Sequence, residues 1–261
     1  MSLDPDLVRL LKRLKLGQLV PTLPERLALA RAQQLDYGAF LTLLLADEVQ
    51  RREQQALERH LDQAGFEERV TLDAFDWSSP VHVDRQQLQH VFTLQFLQRK
   101  EHVILVGPVG VGKTFLVQAL GAAAVRAGHS VVFTRADGLL KDLGQARGDH
   151  TYERVFRRYL APDLLILDDF ALHRLSAQQS EDLYDLIIER HRHASFALTS
   201  NRGVDEWLGL FDNPILGNSA LDRVANAAAF DKPGWPTSML GNGPPVWASG
   251  FSPVPGRQLV C

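Results

Sequence analysis

The chain has 261 residues, a formal net charge of −3 and 45% hydrophobic residues, which excludes fibrous and disordered classes and gives no overall attraction to nucleic acid. Its single cysteine, Cys261, excludes an internal disulfide framework and a thiolate metal cluster. Because no apolar run approaches the roughly 20 residues of a membrane span and the N-terminus lacks the order of a signal peptide, we expect a cytoplasmic protein without a membrane partner.

The first part of the chain, to about residue 66, has a helical pattern. Leucines recur at helical spacing from Leu7 to Leu14, and prolines then interrupt the pattern. A longer helix is predicted over residues 37–63, with Gly65 as its stop. We therefore predict a small all-helical N-terminal domain over residues 1–66.

A basic cluster lies within the first predicted helix and consists of Arg9, Lys12, Arg13 and Lys15. Its side chains could contact the phosphates of DNA, or they could form an ordinary solvated face. The residues alone favour the solvated face.

A phosphate-binding loop is the most specific signal in the sequence. The segment from Gly107 to Thr114 reads G-P-V-G-V-G-K-T, follows an apolar strand-like run, and matches G-x-x-x-x-G-K-[ST] in full. Glycine-rich backbone can turn its N–H groups toward the β-phosphate, Lys113 reaches the β- and γ-phosphates, and the Thr114 hydroxyl can ligate Mg²⁺. The predicted nucleotide-binding residues are Gly107, Pro108, Val109, Gly110, Val111, Gly112, Lys113, Thr114 and Phe115. A ligand-free glycine turn is the alternative, against which the predicted strand before the loop and the predicted helix after it both count.

Strands and helices alternate after this loop. The predicted elements are strand 130–134, helices 137–143 and 152–159, strand 164–168, helix 177–193 and strand 196–200. Helical crossovers between strands imply a parallel sheet covered on both faces. The predicted fold class is α/β, with the nucleotide-binding domain over residues 67–230.

Two acidic residues end the most apolar of these strands. Asp168 and Asp169 follow L-L-I-L, and ligands sit at the C-terminal ends of strands in open α/β sheets. Asp168 would hold Mg²⁺, and Asp169 would orient or deprotonate the water that attacks the γ-phosphate. Without the phosphate-binding loop, the pair could equally cap a turn.

Two further polar residues are weaker candidates. Asn201 ends the strand over 196–200, where a side-chain amide could bond the attacking water or the γ-phosphate, although asparagine also favours turns. Arg223 follows a helical stretch and could supply an arginine finger from a neighbouring subunit. On spacing alone, an intrachain ion pair with Asp222 is the favoured interpretation of Arg223.

Several motifs together resemble those of a known family. They include T-L-D-A-F-D-W, the phosphate-binding loop, L-L-I-L-D-D-F, T-S-N-R and A-L-D-R-V, and the likeness runs from the N-terminus to about Ala229. The chain resembles the IstB-like ATPases, which are transposition helpers of insertion sequences related to the helicase loader DnaC in the AAA+ superfamily.

This resemblance implies more than the residues establish alone. It implies ATP as the nucleotide, with Asn201 at the sensor position and Arg223 at the arginine-finger position. It also implies a helical N-terminal domain for self-assembly and for contact with duplex DNA and a cognate transposase. In such families ATP lies between adjacent subunits, so a homo-oligomer is expected.

The C-terminal segment over residues 231–261 departs from this pattern. Relatives are expected to continue with strand residues and a second sensor arginine, whereas glycine and proline dominate here and no strand or helix period is visible. We expect this tail to be disordered or to come from a shifted reading frame, which would leave the AAA+ lid incomplete and could impair turnover.

The favoured function is an ATP-dependent regulator that assembles on duplex DNA and presents a target to a transposase. A DnaC-like helicase loader would use the same ATPase core, and a protein that binds ATP without turnover is a further alternative. A small-molecule kinase would need an arginine-rich lid near the phosphates, and the one arginine cluster between Gly128 and Asp163 consists of Arg154, Arg157 and Arg158. Their spacing is typical of a solvated helix face.

Overall fold

The structure is a computed structural model that describes residues 3–77, 85–226 and 247–249. The chain divides into two compact units, Met1–Arg59 and His60–Cys261. Among the described residues, no helix combines the length and the apolar character needed to cross a membrane.

The first unit is helical. Its helices are α1 (Pro5–Arg13), α2 (Leu23–Ala32) and α3 (Tyr37–Ala64), the last of which ends within the second unit. Helix α1 begins where the Asp4 carboxylate accepts a hydrogen bond from the Asp6 N–H at 2.8 Å, which satisfies a donor that the helix start leaves open. Leu19, Leu23 and Leu44 form a small buried core.

The second unit is a parallel sheet with helices packed against it. The strands are β1 (Val103–Val106), β2 (Val131–Arg135), β3 (Leu164–Asp168), β4 (Ser195–Ser200) and β5 (Trp247–Ser249), in the order β2-β3-β4-β1-β5. The helices are α4 (Arg85–Phe92), α5 (Gln95–Arg99), α6 (Lys113–Arg126), α7 (Ala136–Gly148), α8 (Tyr152–Leu160), α9 (Ala177–Arg190), α10 (Val204–Trp207) and α11 (Pro214–Asn226). The predicted α/β class is confirmed.

The register aligns the C-terminal ends of neighbouring strands. Arg135 at the end of β2 is the partner of Asp168 at the end of β3, and Val106 at the end of β1 is the partner of Ser200 at the end of β4. All strand pairs are parallel. The residues that follow these strands therefore meet at one edge of the sheet.

A glycine allows helix α6 to lie close to the sheet. A Cβ atom on Gly121 would lie 2.6 Å from the Ile166 Cδ1 atom and 2.6 Å from the Phe66 Cε1 atom. Any larger side chain at this position would therefore force Ile166 or Phe66 to move. Gly121 therefore fixes the approach of α6, and of the loop before it, to strand β3.

A buried arginine joins the opposite edge of the sheet. Arg190, at the end of α9, is fully buried and donates hydrogen bonds to the backbone carbonyls of Tyr159, Leu160, Pro162 and Ser195 at 2.6–2.9 Å. Burial lowers its pKa to about 9. Because four carbonyl dipoles surround the guanidinium, this residue fastens α8 and α9 to the strands that carry the candidate site.

Two predictions about elements need correction. Helix α9 ends at Arg190 rather than at residue 193, because His191 has extended backbone and Arg192 has a φ of +64°, neither of which continues a helix. The second correction concerns the C-terminal tail, of which the structure describes Trp247–Ser249. These residues form β5 beside β1, where the sequence predicted no strand, because a three-residue strand is too short to show a period. Residues 227–246 and 250–261 lie outside the described part of the chain.

Candidate functional site

The loop between β1 and α6 has the backbone that its glycines permit. Gly110 has a φ of +81° and Gly112 a φ of +86°, in the left-handed region that disfavours side chains. Gly112 is the N-cap of α6, whose first residue is Lys113, and a glycine has no side chain that could accept from the N–H groups of this helix start. Residues 108–110 of the loop are exposed, and Val109 is 81% exposed. These N–H groups and the positive end of the helix dipole suit an anion such as a phosphate.

The ammonium of Lys113 lies inside the loop. It donates hydrogen bonds to the carbonyls of Gly107 and Pro108 at 2.8 and 2.7 Å and to Asn201 Oδ1 at 2.6 Å. Burial lowers the pKa of Lys113, while the charges of the two acids, Asp169 and Asp168, oppose that change. The structure therefore brings together predicted site residues from the loop and from the end of β4 around one cation.

Asp168 is nearly fully buried beside the start of α6. Its two carboxylate oxygens accept hydrogen bonds from the Thr114 hydroxyl at 3.1 and 2.9 Å, and it also accepts one from the Thr199 hydroxyl. A hydroxyl and a carboxylate in contact form an all-oxygen donor set, which is the set that Mg²⁺ prefers. Thr114 and Asp168 therefore fit the metal role predicted for them.

Asp169 has an unusual backbone at the edge of the sheet. Its φ is +54°, and its N–H donates to the Thr199 hydroxyl at 3.0 Å. Burial and the neighbouring Asp168 charge raise the pKa of Asp169, while Arg135 and Lys113 oppose that rise. A partly buried carboxylate beside a second one is suited to accepting a proton or orienting a water.

Arg223 is not near these groups. It lies in the last turn of α11, inside the helix rather than after it, and its guanidinium donates to the carbonyl and the hydroxyl of Ser219 at 2.7 Å. Its charge acts on His191, which follows α9 and precedes the start of β4. The phosphate-binding loop follows the end of β1 at the opposite edge, and a six-residue strand such as β4 spans about 20 Å. Arg223 therefore lies toward the edge of the sheet opposite the loop of its own chain.

Two residues of the site were missed by sequence reasoning. Thr199 contacts both acids, and a hydroxyl residue next to the end of an otherwise apolar strand was the available signal. Phe75 lies against the loop, with its Cε2 atom 3.0 Å from the position of a Cβ atom on Gly112 and its ring centroid 5.8 Å from that of Phe115. Phe75 belongs to T-L-D-A-F-D-W, but nothing in that motif pointed to a contact with the loop.

A comparison with models of protein families shows which family this chain belongs to. The model described as IstB-like ATP binding protein matches residues 9–230. The chain belongs to this family. The match covers the loop, both acids, Asn201 and Arg223.

Relatives of this IstB-like protein come from insertion sequences. An ATP-binding protein of an insertion sequence from Mycobacterium tuberculosis is 41% identical over 226 residues, which cover 86% of this chain and 90% of the relative. The ATP-binding protein of insertion sequence IS21 from Pseudomonas aeruginosa is 35% identical over 219 residues, covering 84% and 83%. This member of the IstB-like family is therefore similar, over most of its length, to ATP-binding proteins of insertion sequences.

Solved structures show the same fold. The replication initiator DnaA, bound to AMPPCP and single-stranded DNA, has a TM-score of 0.51 at 19% identity, and the match covers 59% of this chain and 48% of that one. DnaI has a TM-score of 0.51 at 16% identity, with 74% and 94% covered. The fold of the IstB-like protein is that of the AAA+ P-loop ATPases, as the sequence predicted.

Proposed function

We propose that this IstB-like protein is an ATP-dependent transposition regulator. It binds and hydrolyses ATP with Mg²⁺, self-assembles on duplex DNA and recruits or stimulates a transposase at the target. One observation carries the enzymatic part, namely the meeting of Lys113, Asp169 and Asn201 with the Thr114–Asp168 pair at one edge of the sheet.

The chemistry follows from these side chains. Loop N–H groups and the start of α6 bind the phosphates, and Lys113 exchanges its present acceptors for phosphate oxygens. Mg²⁺, held through Thr114 and Asp168, would neutralise charge on the β- and γ-phosphates. Asp169 accepts the proton of the attacking water, and Asn201, already in contact with Lys113, holds the water or the γ-phosphate in line.

The position of Arg223 supports the proposal of a homo-oligomer. This side chain is at the far edge of the sheet from the loop of its own chain, so an arginine finger at this position would serve a neighbouring subunit. We infer that ATP sits between subunits, with one copy supplying the loop and acids and the next supplying Arg223.

The contacts with DNA and transposase are assigned to the helical unit. Lys12, Arg13 and Lys15 are exposed at the end of α1, where cations can meet phosphates. Helix α3 exposes an apolar stripe at every fourth residue, formed by Tyr37, Leu41, Leu45 and Val49, each at least half exposed. A stripe of this kind is typical of a face that meets another macromolecule. A cytoplasmic location with access to DNA is part of the proposal.

Electron microscopy and an ATPase assay test this function together. The purified protein is mixed with duplex DNA and either Mg·ATP or Mg·ADP, and phosphate release is followed in parallel. We expect filaments or rings with ATP, hydrolysis that DNA stimulates, and DNA affinity that falls with added salt. Assembly without phosphate release would indicate a non-catalytic ATP-binding protein, and a phosphorylated metabolite would indicate a kinase.

The variant Lys113→Ala tests whether assembly depends on ATP binding. Removal of its ammonium should abolish Mg·ATP binding and ATP-dependent assembly, whereas Lys141→Ala, on the exposed face of α7, should change neither. Assembly that persists in Lys113→Ala would contradict the proposed dependence on ATP.

A further inference from the structure

We propose that Glu67 holds Arg135 away from Asp169, and that without Glu67 the Arg135 guanidinium pairs with the Asp169 carboxylate and blocks hydrolysis. Glu67 is thus a positioning residue that keeps the Asp169 carboxylate available by binding Arg135. The inference rests on the proposed function, because it assigns Asp169 the role of the base.

Arg135 lies beside the two acids. It is the last residue of β2, and its register partner on the neighbouring strand is Asp168. Adjacent strands lie about 4.8 Å apart, and the flexible side chain of an arginine easily spans that distance. The Arg135 charge acts on both Asp168 and Asp169, so the guanidinium is within electrostatic reach of the proposed base.

Glu67 forms an ion pair with this guanidinium. The Arg135 Nε atom donates to Glu67 Oε1 at 2.9 Å, and an Arg135 terminal nitrogen donates to Glu67 Oε2 at 3.2 Å. Two parallel hydrogen bonds to one carboxylate orient the guanidinium as well as neutralise it. Since this geometry uses both oxygens of Glu67 and one side of the Arg135 fork, it turns the arginine toward residue 67.

The backbone around Glu67 is anchored on both sides. The Phe66 ring packs against Phe133, with centroids 6.2 Å apart, and rests on Gly121 of α6. The Glu68 N–H donates to the Gln118 side chain at 2.9 Å. Because both neighbours of Glu67 are fixed by contacts with the sheet and with α6, the packing of this unit determines that the Glu67 carboxylate meets Arg135.

Asp169 is the competing partner. Within the described residues its carboxylate accepts no hydrogen bond and forms no ion pair, although Glu67 is close enough to repel it and Arg135 to attract it. The carboxylates of Glu67 and Asp169 thus compete for the Arg135 guanidinium, which is hydrogen-bonded to Glu67 in this structure. If Glu67 loses its charge, the remaining anion attracts Arg135, and the guanidinium would then occupy the carboxylate oxygens that hold the attacking water.

Four variants test this arrangement by ATP turnover and by Mg·ATP affinity measured separately. Glu67→Gln should lower kcat about tenfold with an unchanged affinity for Mg·ATP, because the nucleotide contacts are untouched. The double variant Glu67→Gln/Arg135→Gln should recover kcat to within about threefold of wild type, since the blocking cation is gone. Arg135→Gln alone should retain most activity, and Glu67→Asp, which keeps the charge, should lie closer to wild type than Glu67→Gln.

A merely structural ion pair gives the opposite pattern. Glu67→Gln and Arg135→Gln would then be equally harmful and the double variant no better, which would overturn the inference, as would an unchanged kcat in Glu67→Gln. Thermal unfolding identifies any variant that fails to fold, in which case Glu67→Asp and the double variant decide the outcome. Glu153→Gln, an exposed acid on α8, is the matched control.

The proposed function can fail separately. If wild type hydrolyses ATP and Asp169→Asn does not, the role of Asp169 stands whatever Glu67→Gln does. If wild type releases no phosphate with Mg·ATP and DNA, both proposals fall.

Discussion

Thr199 connects the two strand-end acids through one hydroxyl. It donates to Asp168 and accepts the N–H of Asp169, and it is fully buried on β4. Since the same oxygen fixes the carboxylate predicted to hold magnesium and the backbone that carries the proposed base, a small change at this residue should disturb both.

Removal of this hydroxyl is therefore predicted to be costly. Thr199→Val keeps the shape but leaves the Asp169 N–H without its acceptor, so we expect about 1–3 kcal/mol lower stability and a fall of about tenfold in kcat. Thr199→Ser retains the hydroxyl and should keep most activity. Urea unfolding and phosphate release measure the two effects, and equal behaviour of the two variants would contradict the role given to the hydroxyl.

Asp169 permits an unusually specific test of its own role. Asparagine tolerates the left-handed backbone that Asp169 adopts at a φ of +54°, so Asp169→Asn removes the base without forcing the chain to rearrange. We expect Mg·ATP binding to persist and hydrolysis to fall at least about 100-fold. Normal turnover in this variant would show that another group activates the water.

At the scale of elements, the packing of α6 on the sheet depends on a glycine. Because a Cβ atom on Gly121 would overlap Ile166 and Phe66, Gly121→Ala should destabilise the protein by about 1–3 kcal/mol. Gly144 in α7 has open space around a Cβ atom, and Gly144→Ala should stabilise by about 0.4–1 kcal/mol. Urea unfolding of both variants checks the contrast, and a similar loss in both would refute the packing explanation.

Much of the nucleotide-binding unit could be predicted because its signals are local. The glycine loop, the apolar run before Asp168 and the alternation of strands and helices each depend on neighbouring residues, and the structure has them. The contact between Lys113 and Asn201 depends on strands β1 and β4 being adjacent, which periodicity along the chain does not reveal. Thr199, Phe75 and the Glu67–Arg135 pair were missed because their partners are distant in sequence and become neighbours only through the tertiary fold.

At the scale of the whole molecule, the position of Arg223 determines how neighbouring copies would have to meet in the proposed assembly. It is at the end of α11, beside the residues that follow α9, whereas the loop and acids are at the opposite edge of the sheet. A contact that joins two different surfaces in this way repeats from copy to copy instead of closing a two-fold dimer.

A mixing experiment tests this geometry. Arg223→Ala and Lys113→Ala should each lose about a thousandfold in turnover when assayed alone. Mixed in equal amounts with DNA, they should recover measurable hydrolysis, because the intact loop of one chain meets the intact arginine of the other. Arg157→Ala, on the exposed face of α8, serves as the control and should stay active. No recovery in the mixture would place the arginine finger elsewhere.

The separation of Arg223 from its own loop also sets a rule for how activity scales. In the proposed assembly, a linear row of copies would have one fewer complete catalytic centre than it has members, because the terminal copy has no neighbour to supply Arg223. Turnover per copy should then increase steeply when the first copies associate and reach a plateau in long rows. Dilution of the protein would therefore abolish hydrolysis even where ATP is not limiting. The concentration of the protein would therefore limit its ATPase activity, and DNA that binds several copies side by side would remove this limit.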